Sequence, residues 1–253
     1  MNDVELRLGE VGDADAVRAL LASEALPVED LAGAHPEFVI ALSEGRLVGC
    51  IAVEVAGEDA LLRSLAVRPD VRGKGIGAAL HERAVALASL LGARTAYLLT
   101  TTAAKYAASK GFEQVDRASV PPGIAALPQL RGICPSTAVC MRRRIAGEAR
   151  RYPRDVLRLR PDVAGATYFA VALERVMLTW FEVEPGTRFE RHAHEADQIT
   201  MVLEGELVFE LDAGREERVG AGEVIALPAG VPHAVRAGDQ RARAADAWSP
   251  PRR

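Results

Sequence analysis

Cysteine is scarce: Cys50, Cys134 and Cys140 are the only three in 253 residues. An odd, thinly spread set is no disulfide framework. The acidic, polar start MNDVELRLGE is not that of a secretory signal, so a reduced, cytoplasmic protein is expected. Excess charge of either sign is lacking too. The net charge is −4, which argues against the basic footprint of a nucleic-acid-binding chain. No stretch reaches the ~18 uninterrupted apolar residues of a membrane span. Apolar material for buried cores is plentiful, with 49% hydrophobic residues against 26% charged. The length suits one large domain or two ordinary ones.

The chain changes character along its length. In the first half, strand and helix patterns alternate. VELRLGE alternates apolar and polar, and DADAVRALLASEAL reads as a helix with an Asp near its N-cap. FVIALSEGRLVGCIAVEVAG reads as two strands around a Glu-Gly turn. DALLRSLAVRP is a further strand, followed by a glycine loop and a helix. The strand ARTAYLLT, a short helix before GFEQV, and a last strand STAVCMRRRI complete the half. Strands separated by helices imply an α/β layered domain. RRRIAGEARRYPRDVLRLR, residues 142–160, is arginine-rich. It reads as a solvated linker leading to an edge strand, with an anion-binding patch as the alternative. After about residue 165 only short alternating runs remain, VMLTWFEVE, ITMVLEGELVFEL and EVIALP, split by Gly and Pro turns. These suit a small β-barrel or sandwich. The expected division is 1–146, a linker over 147–164, and 165–253.

The loop VRGKGIGAAL places Gly73, Gly75 and Gly77 between a strand and a helix. Ile76, Leu80, Ala84, Leu87 and Leu91 recur at helical spacing, and Gly92 is placed to end the helix. Glycine lets a ligand approach the main chain, and the N–H groups of a first helical turn favour a phosphate. No Gly-Lys-Ser/Thr follows, so this is not a P-loop, and the R-x-x-G-x-G spacing is not a dinucleotide fingerprint. RSLAVRPDVRGKGIGAALHERAVALA resembles the acetyl-CoA motif of the GNAT N-acetyltransferases, over roughly residues 4 to 145. The resemblance implies a mixed central sheet flanked by helices. It assigns the pantetheine arm of acetyl-CoA to Leu65, Ala66 and Val67, and the pyrophosphate to Arg72, Gly73, Lys74, Gly75, Ile76 and Gly77. LLRSLAVRP, YLLTTTA and ICPSTAVCM further resemble the branch associated with arsenic-resistance operons.

Acetyl transfer needs a neutral amine and a proton for the leaving thiolate. Many members of the family place a Tyr as that acid where this chain has Ala107. Tyr106, one residue earlier, is the candidate acid here, with packing beside the coenzyme as its other reading. Strand alternation puts Cys50, Ala52 and Glu54 on one face, which makes Glu54 a candidate base, with an exposed edge charge as the alternative. His81 and His35 are expected on the surface. Soft trivalent arsenic prefers thiolates, so the three cysteines are weighed as ligands against simple burial.

In the second half, GTRFERHAHEADQITMVLEG and GEVIALPAGVPHAV hold three of the five histidines. His192 and His194 are two apart on an extended segment and point the same way. Gln198 follows, and His233 returns after a Pro-Gly turn. Imidazole-rich sites accept divalent transition metals. Gly186, His192, His194 and Gly205, then Gly222, Pro228, Gly230 and His233, resemble the two motifs of the cupin superfamily. That resemblance implies a small all-β barrel over about 155–253 and a metal site of His192, His194, Gln198 and His233. Gln198 stands where a Glu is usual, which removes one negative charge and puts an oxygenase role in doubt.

The expected protein is an acetyl-CoA-dependent N-acetyltransferase for a small amine, with an arsenic link and a metal-binding cupin of sensory or accessory role. Zn, Fe, Mn or Ni would serve as the metal. The alternatives are a cupin-centred isomerase or oxygenase, or a non-catalytic module that binds coenzyme A or an arsenical. Neither nucleic acid nor membrane is expected as a partner, and a homodimer is one option.

Overall fold

A computed structural model describes residues 4–32 and 36–252. His35 lies outside the described residues. The chain divides into two compact units, Met1–Val156 and Leu157–Arg253. Among the described residues no helix is long and apolar enough to cross a membrane.

The first unit is built on one mixed sheet. Its strands are β1 (Val4–Leu8), β2 (Glu37–Ser43), β3 (Arg46–Ala56), β4 (Asp59–Val67), β5 (Thr95–Thr100), β6 (Glu113–Val115) and β7 (Val139–Arg144), in the order β1-β2-β3-β4-β5-β7-β6. Every pair is antiparallel except β4 with β5. The Glu-Gly turn joins β2 to β3 with both residues left-handed, Glu44 at φ 53° and Gly45 at φ 76°. That is the twist a two-residue hairpin requires.

Alternation along the strands divides the apolar residues between two faces. On one face, Val39, Ala41, Ile51, Val53 and Leu62 pack against α2 (Ile76–Leu90) and against Ala107 of α3 (Ala104–Ser109). On the other, Ile40, Cys50 and Ala66 pack against Val17, Leu20 and Leu21 of α1 (Ala14–Ser23). Farther along that second face, Leu61, Tyr97 and Cys140 pack on Ile124 of a short helix, α4 (Pro122–Ala125). Asp13 occupies the N-cap position of α1, but its carboxylate does not cap the helix. It takes two bonds from Arg7, at 2.7 and 2.9 Å, and one from the Glu10 N–H.

The stretch 147–164 is not a free tether throughout. The Tyr152 hydroxyl lies 2.9 Å from Ser89 Oγ, Arg83 pairs with Asp155 at 3.2 Å, and Val156 is buried in the main core of the first unit.

The second unit is a two-sheet sandwich with every pairing antiparallel. Its strands are β8 (Arg160–Pro161), β9 (Ala166–Ala172), β10 (Met177–Val183), β11 (Arg188–His192), β12 (Asp197–Glu204), β13 (Glu206–Glu210), β14 (Glu216–Gly220), β15 (Val224–Leu227), β16 (His233–Ala237) and β17 (Ala242–Ser249). One sheet runs β15-β12-β17-β10-β9-β8 and the other β11-β16-β13-β14. Val183, Val202, Leu207, Phe209, Val235 and Ala244 fill the space between them. The inward positions are not apolar throughout: Thr179 on β10, Gln198 and Thr200 on β12, and Asp246 on β17 are buried too. These polar residues border the histidines.

Candidate functional sites: a splayed-strand groove and a histidine triad

β4 and β5 pair only through Asp59–Thr95, Ala60–Ala96 and Leu61–Tyr97. Beyond Leu61 the edge of β4 that faces β5 has no strand partner among the described residues. The divergence coincides with a bulge. Cys50 opposes Ala66 and Ala52 opposes Arg63, so Ser64 and Leu65 both face Ile51, and Ser64 is left-handed at φ 56°. A groove of about 460 Å3 opens beside the splayed edge. Leu65, Ala66, Val67, Arg72, Gly73, Gly75, Ile76 and Gly77 line it, together with Glu24 and Thr102 among others. Of the residues expected to bind the coenzyme, only Lys74 is outside this lining, and its side chain is exposed. Gly75 is the N-cap of α2 in the left-handed conformation (φ 81°), and no acidic side chain occupies the first turn. The N–H groups there are open to an anion. Arg72 is held in place by Glu24 and by a 2.8 Å bond to the Val67 carbonyl.

Neither candidate for proton transfer lines the groove. The Tyr106 hydroxyl is buried and has no hydrogen-bond partner. Its ring lies edge-on to His81, with centroids 6.1 Å apart. Burial, with Glu82 adding to it, raises the phenol above its ordinary value, so the group stays protonated. Ala107 faces the core. Glu54 lies on the same face as Cys50, as alternation predicts, and its carboxylate is paired with Arg63 at 2.9 Å.

His81 corrects the sequence expectation. It is 4% exposed, packed between Tyr106 and Phe112, and its Nε2 has no partner. Burial, then the positive charges of Lys110 and Arg143, lowers its pKa from 6.5 to about 4. The unfolded chain therefore takes up a proton near pH 6.5 that the native chain refuses until about pH 4. Stability from the neutral ring is complete above pH 6.5 and is lost as the pH falls through that window, by up to about 3 kcal/mol. Denaturant unfolding at stepped pH, comparing the protein with His81→Phe, is expected to show this difference; parallel curves for the two would contradict it.

In the second unit, the ligand atoms of His192, His194 and His233 lie within 4.8 Å of one another. β11 delivers His192 at its end, and β16 opens with His233 directly opposite it. Each ring is fixed by its own backbone. Nδ1–H donates to the Glu190 carbonyl from His192 (2.8 Å), to Ala196 from His194 (2.6 Å), and to Val231 from His233 (2.9 Å). Carbonyls only accept, so each neutral imidazole keeps its Nε2 lone pair free. Gln198 donates through Nε2 to Thr200 (2.9 Å) and Asp246 (3.2 Å), which leaves Oε1 facing His194 Nε2 at 2.9 Å. Either a cation beside these two atoms or a proton on Nε2 satisfies the contact. Three converging lone pairs and one amide oxygen suit a divalent transition metal, so the residues present fit the group that the fold implies. Burial pushes the Asp246 carboxyl up to about 7, against hydrogen bonds from Thr200 and Gln198 and the charge of Arg252. A cavity of about 70 Å3 adjoins the triad, walled by Phe181, Phe189, Phe209 and Trp248 among others.

The thiols are not assembled. Among the described residues the histidine triad is the only group of three or more His, Cys, Asp or Glu placed to share an ion. Burial raises the pKa of Cys50 to about 12 and also raises those of Cys134 and Cys140. Cys50 and Cys140, buried in separate clusters, are packing residues, while Cys134 is half-buried.

Comparison with known proteins agrees with both units. The acetyltransferase (GNAT) domain family model matches residues 34–114, and the cupin domain family model matches residues 179–248. An amino-acid acetyltransferase of Azotobacter vinelandii is 37% identical over 97 residues, covering 38% of this chain and 21% of that protein. The chain thus spans about a fifth of that relative's length. N-acetylglutamate synthase from Neisseria gonorrhoeae, solved with coenzyme A and N-acetyl-glutamate, superposes with a TM-score of 0.50 at 22% identity, over 57% of this chain and 36% of that one. An RmlC-like cupin from Shewanella frigidimarina has a TM-score of 0.36 at 23% identity, over 38% of this chain and 86% of that one. The architecture is a GNAT-like α/β domain with a mixed central sheet, followed by a cupin β-sandwich domain.

Proposed function

We propose that the first unit transfers an acetyl group from acetyl-CoA to a small amine. The observation that carries this is the groove between splayed β4 and β5, which runs to a left-handed glycine turn at the head of α2. Leu65, Ala66 and Val67 border the arm of the coenzyme, and the main chain from Arg72 to Gly77 meets its diphosphate. In the reaction the amine nitrogen bonds to the acetyl carbon, the carbon–sulfur bond breaks, and sulfur leaves with a proton. Tyr106 supports the acid role through its protonation state alone, because it is not among the residues lining the groove.

Calorimetry with CoA and a thiol-release assay on an amine panel test this reading. Saturable binding and amine-dependent thiol release are expected. No heat with CoA overturns it, and binding without release favours a non-catalytic module. Amino acids belong in the panel because the Azotobacter relative is named for them. Amines that carry arsenic belong there because LLRSLAVRP, YLLTTTA and ICPSTAVCM suggest the arsenic link.

The second unit would hold Zn, Fe, Mn or Ni through His192, His194, His233 and Gln198, in a sensory or accessory role. Its cavity beside the triad favours a cupin-centred isomerase or oxygenase as the second reading.

A homodimer through the outer face of the larger cupin sheet completes the proposal. Across adjacent strands that face presents Val224, Met201, Ala245, Trp180 and Phe169 in one row, and Ala226, Ile199, Ala247, Leu178 and Val171 in the next. Val224, Ile199, Leu178 and Met201 are between 44% and 51% exposed. An exposed apolar face of this kind marks an interaction surface, and pairing with its own copy about a two-fold axis would cover it. Sedimentation is expected to give a dimer that Met201→Glu converts to monomer; a wild-type monomer at micromolar concentration rejects it.

A further inference from the structure

The sheet face that carries Cys50 and Glu54 also carries a buried charged cluster that neither the fold nor the groove explains. Arg63 Nε pairs with Glu54 at 2.9 Å, and Arg63 Nη1 with Asp30 at 3.0 Å. The Gln129 amide donates to the same Asp30 oxygen that Arg63 engages. The Arg63 and Asp30 side chains are 7% and 6% exposed, and Gln129 is 4% exposed. Three polar atoms of this cluster have no partner: Arg63 Nη2, Asp30 Oδ1 and Gln129 Oε1. A purely structural ion pair would be fully satisfied, because each orphaned buried group costs about 1–3 kcal/mol. Two carboxylates against one guanidinium leave the cluster one negative charge in excess.

Its position is informative. Arg63 lies two residues past Leu61, the last β4 residue paired with β5, and opposes Ala52 on the face opposite α2. Leu65, two residues on, lines the coenzyme groove. Asp30 comes from the turn Glu29–Ala32 after α1. Gln129 is carried by the loop after α4, which Arg117 fixes by donating to the carbonyls of Gln129, Leu130, Cys134 and Pro135. Four separate segments thus bring one open donor and two open acceptors together around Arg63, two residues past the end of the β4–β5 pairing, although none of the four side chains lines the groove itself.

We propose that this cluster is the acceptor pocket and that it selects an amine bearing an oxyanion, an α-amino acid before all others. This deepens the acetyltransferase reading and rests on it. Asp30 Oδ1 and Gln129 Oε1 receive the ammonium, which offsets the excess negative charge. Arg63 Nη2 receives a carboxylate oxygen. Before attack the ammonium gives one proton to a carboxylate of the cluster, which passes it to solvent. The neutral nitrogen then bonds to the acetyl carbon, the carbon–sulfur bond breaks, and the second nitrogen proton goes to the departing sulfur. Acetyl amide, CoA thiol and one proton are the products.

Steady-state kinetics on the full chain with acetyl-CoA test it, using α-amino acids, the same amines lacking the carboxylate, and aminoalkyl phosphonates and arsonates. Acceptors with an oxyanion are expected to exceed their plain-amine counterparts at least 1000-fold in kcat/KM. The phosphonate and arsonate arms show which oxyanion fits best. Arg63→Gln is expected to raise the acceptor KM at least 100-fold and erase that preference, with CoA affinity unchanged by calorimetry and partial rescue in Arg63→Lys. Should Arg63→Gln fail to fold, the preference of the wild-type chain decides alone. Equal turnover of amino acids and plain amines overturns the inference and leaves acetyl transfer standing. No thiol release with any acceptor removes both, and CoA calorimetry then separates a failed coenzyme site from a failed acceptor.

Discussion

A chain carrying Gly75→Val is expected to fold and to bind CoA at least 100-fold more weakly. Gly75 sits at φ 81° and ψ −1°, immediately before α2. The left-handed region costs a side-chain-bearing residue roughly 1–2 kcal/mol, and a β-branched one more. A Cβ at this position would meet nothing within 4 Å, so the protein itself offers no clash. The loop can therefore relieve the strain by rotating its peptide units, and that rotation would turn away the N–H groups proposed to meet the diphosphate. Losing two such bonds to a charged ligand, at about 1.5–3 kcal/mol each, exceeds the 2.8 kcal/mol of a hundredfold change. Thermal melting should fall by only a few degrees, since the strain is local. Calorimetry with CoA reads the affinity. A value within threefold of the parent would show that these amides do not carry the diphosphate.

The parts of this site that sequence reasoning reached are those encoded locally. The helical spacing of Ile76, Leu80, Ala84 and Leu87 marks one face of α2, and all four are buried. That stripe says nothing about a second buried face. His81 follows Leu80 directly and looks solvated on a helical wheel, yet Tyr106 and Phe112 close over it. The end of β4–β5 pairing is a tertiary property that no local pattern displays. Asp246 was readable. In ARAADAWS the inward residues are Ala242, Ala244, Asp246 and Trp248, so strict alternation puts a carboxyl inside the cupin. Arg63 gave a similar signal, a charge inside the apolar run DALLRSLAV. Its partners Asp30 and Gln129 come from irregular segments, whose meeting place depends on the whole fold.

Replacing His233 by Ala is expected to lower metal affinity at least 1000-fold. The three imidazoles are already oriented, because backbone carbonyls at 2.6–2.9 Å hold every Nδ1. Such carbonyls fix both the tautomer and the ring plane of a ligating histidine. His233 is 1% exposed and stands opposite His192, so its loss removes one of three converging lone pairs from the buried side of the triad. Gln198 would contribute a neutral oxygen whose aim depends on Thr200 and Asp246. Gln198→Ala should therefore cost less than His233→Ala, and Gln198→Glu should bind the divalent ion more tightly by restoring a negative charge. Elemental analysis after stripping and reloading reads these affinities directly. Melting gives an independent measure, since an ion at 100 times its Kd adds about 2.7 kcal/mol to the native state, and His233→Ala should show no such gain. Equal metal content in the variant and the parent would mean that the triad is not the binding site. If stripping the metal leaves acetyl transfer intact, the two units act on separate ligands, and the cupin is an accessory to the transferase and no part of its chemistry.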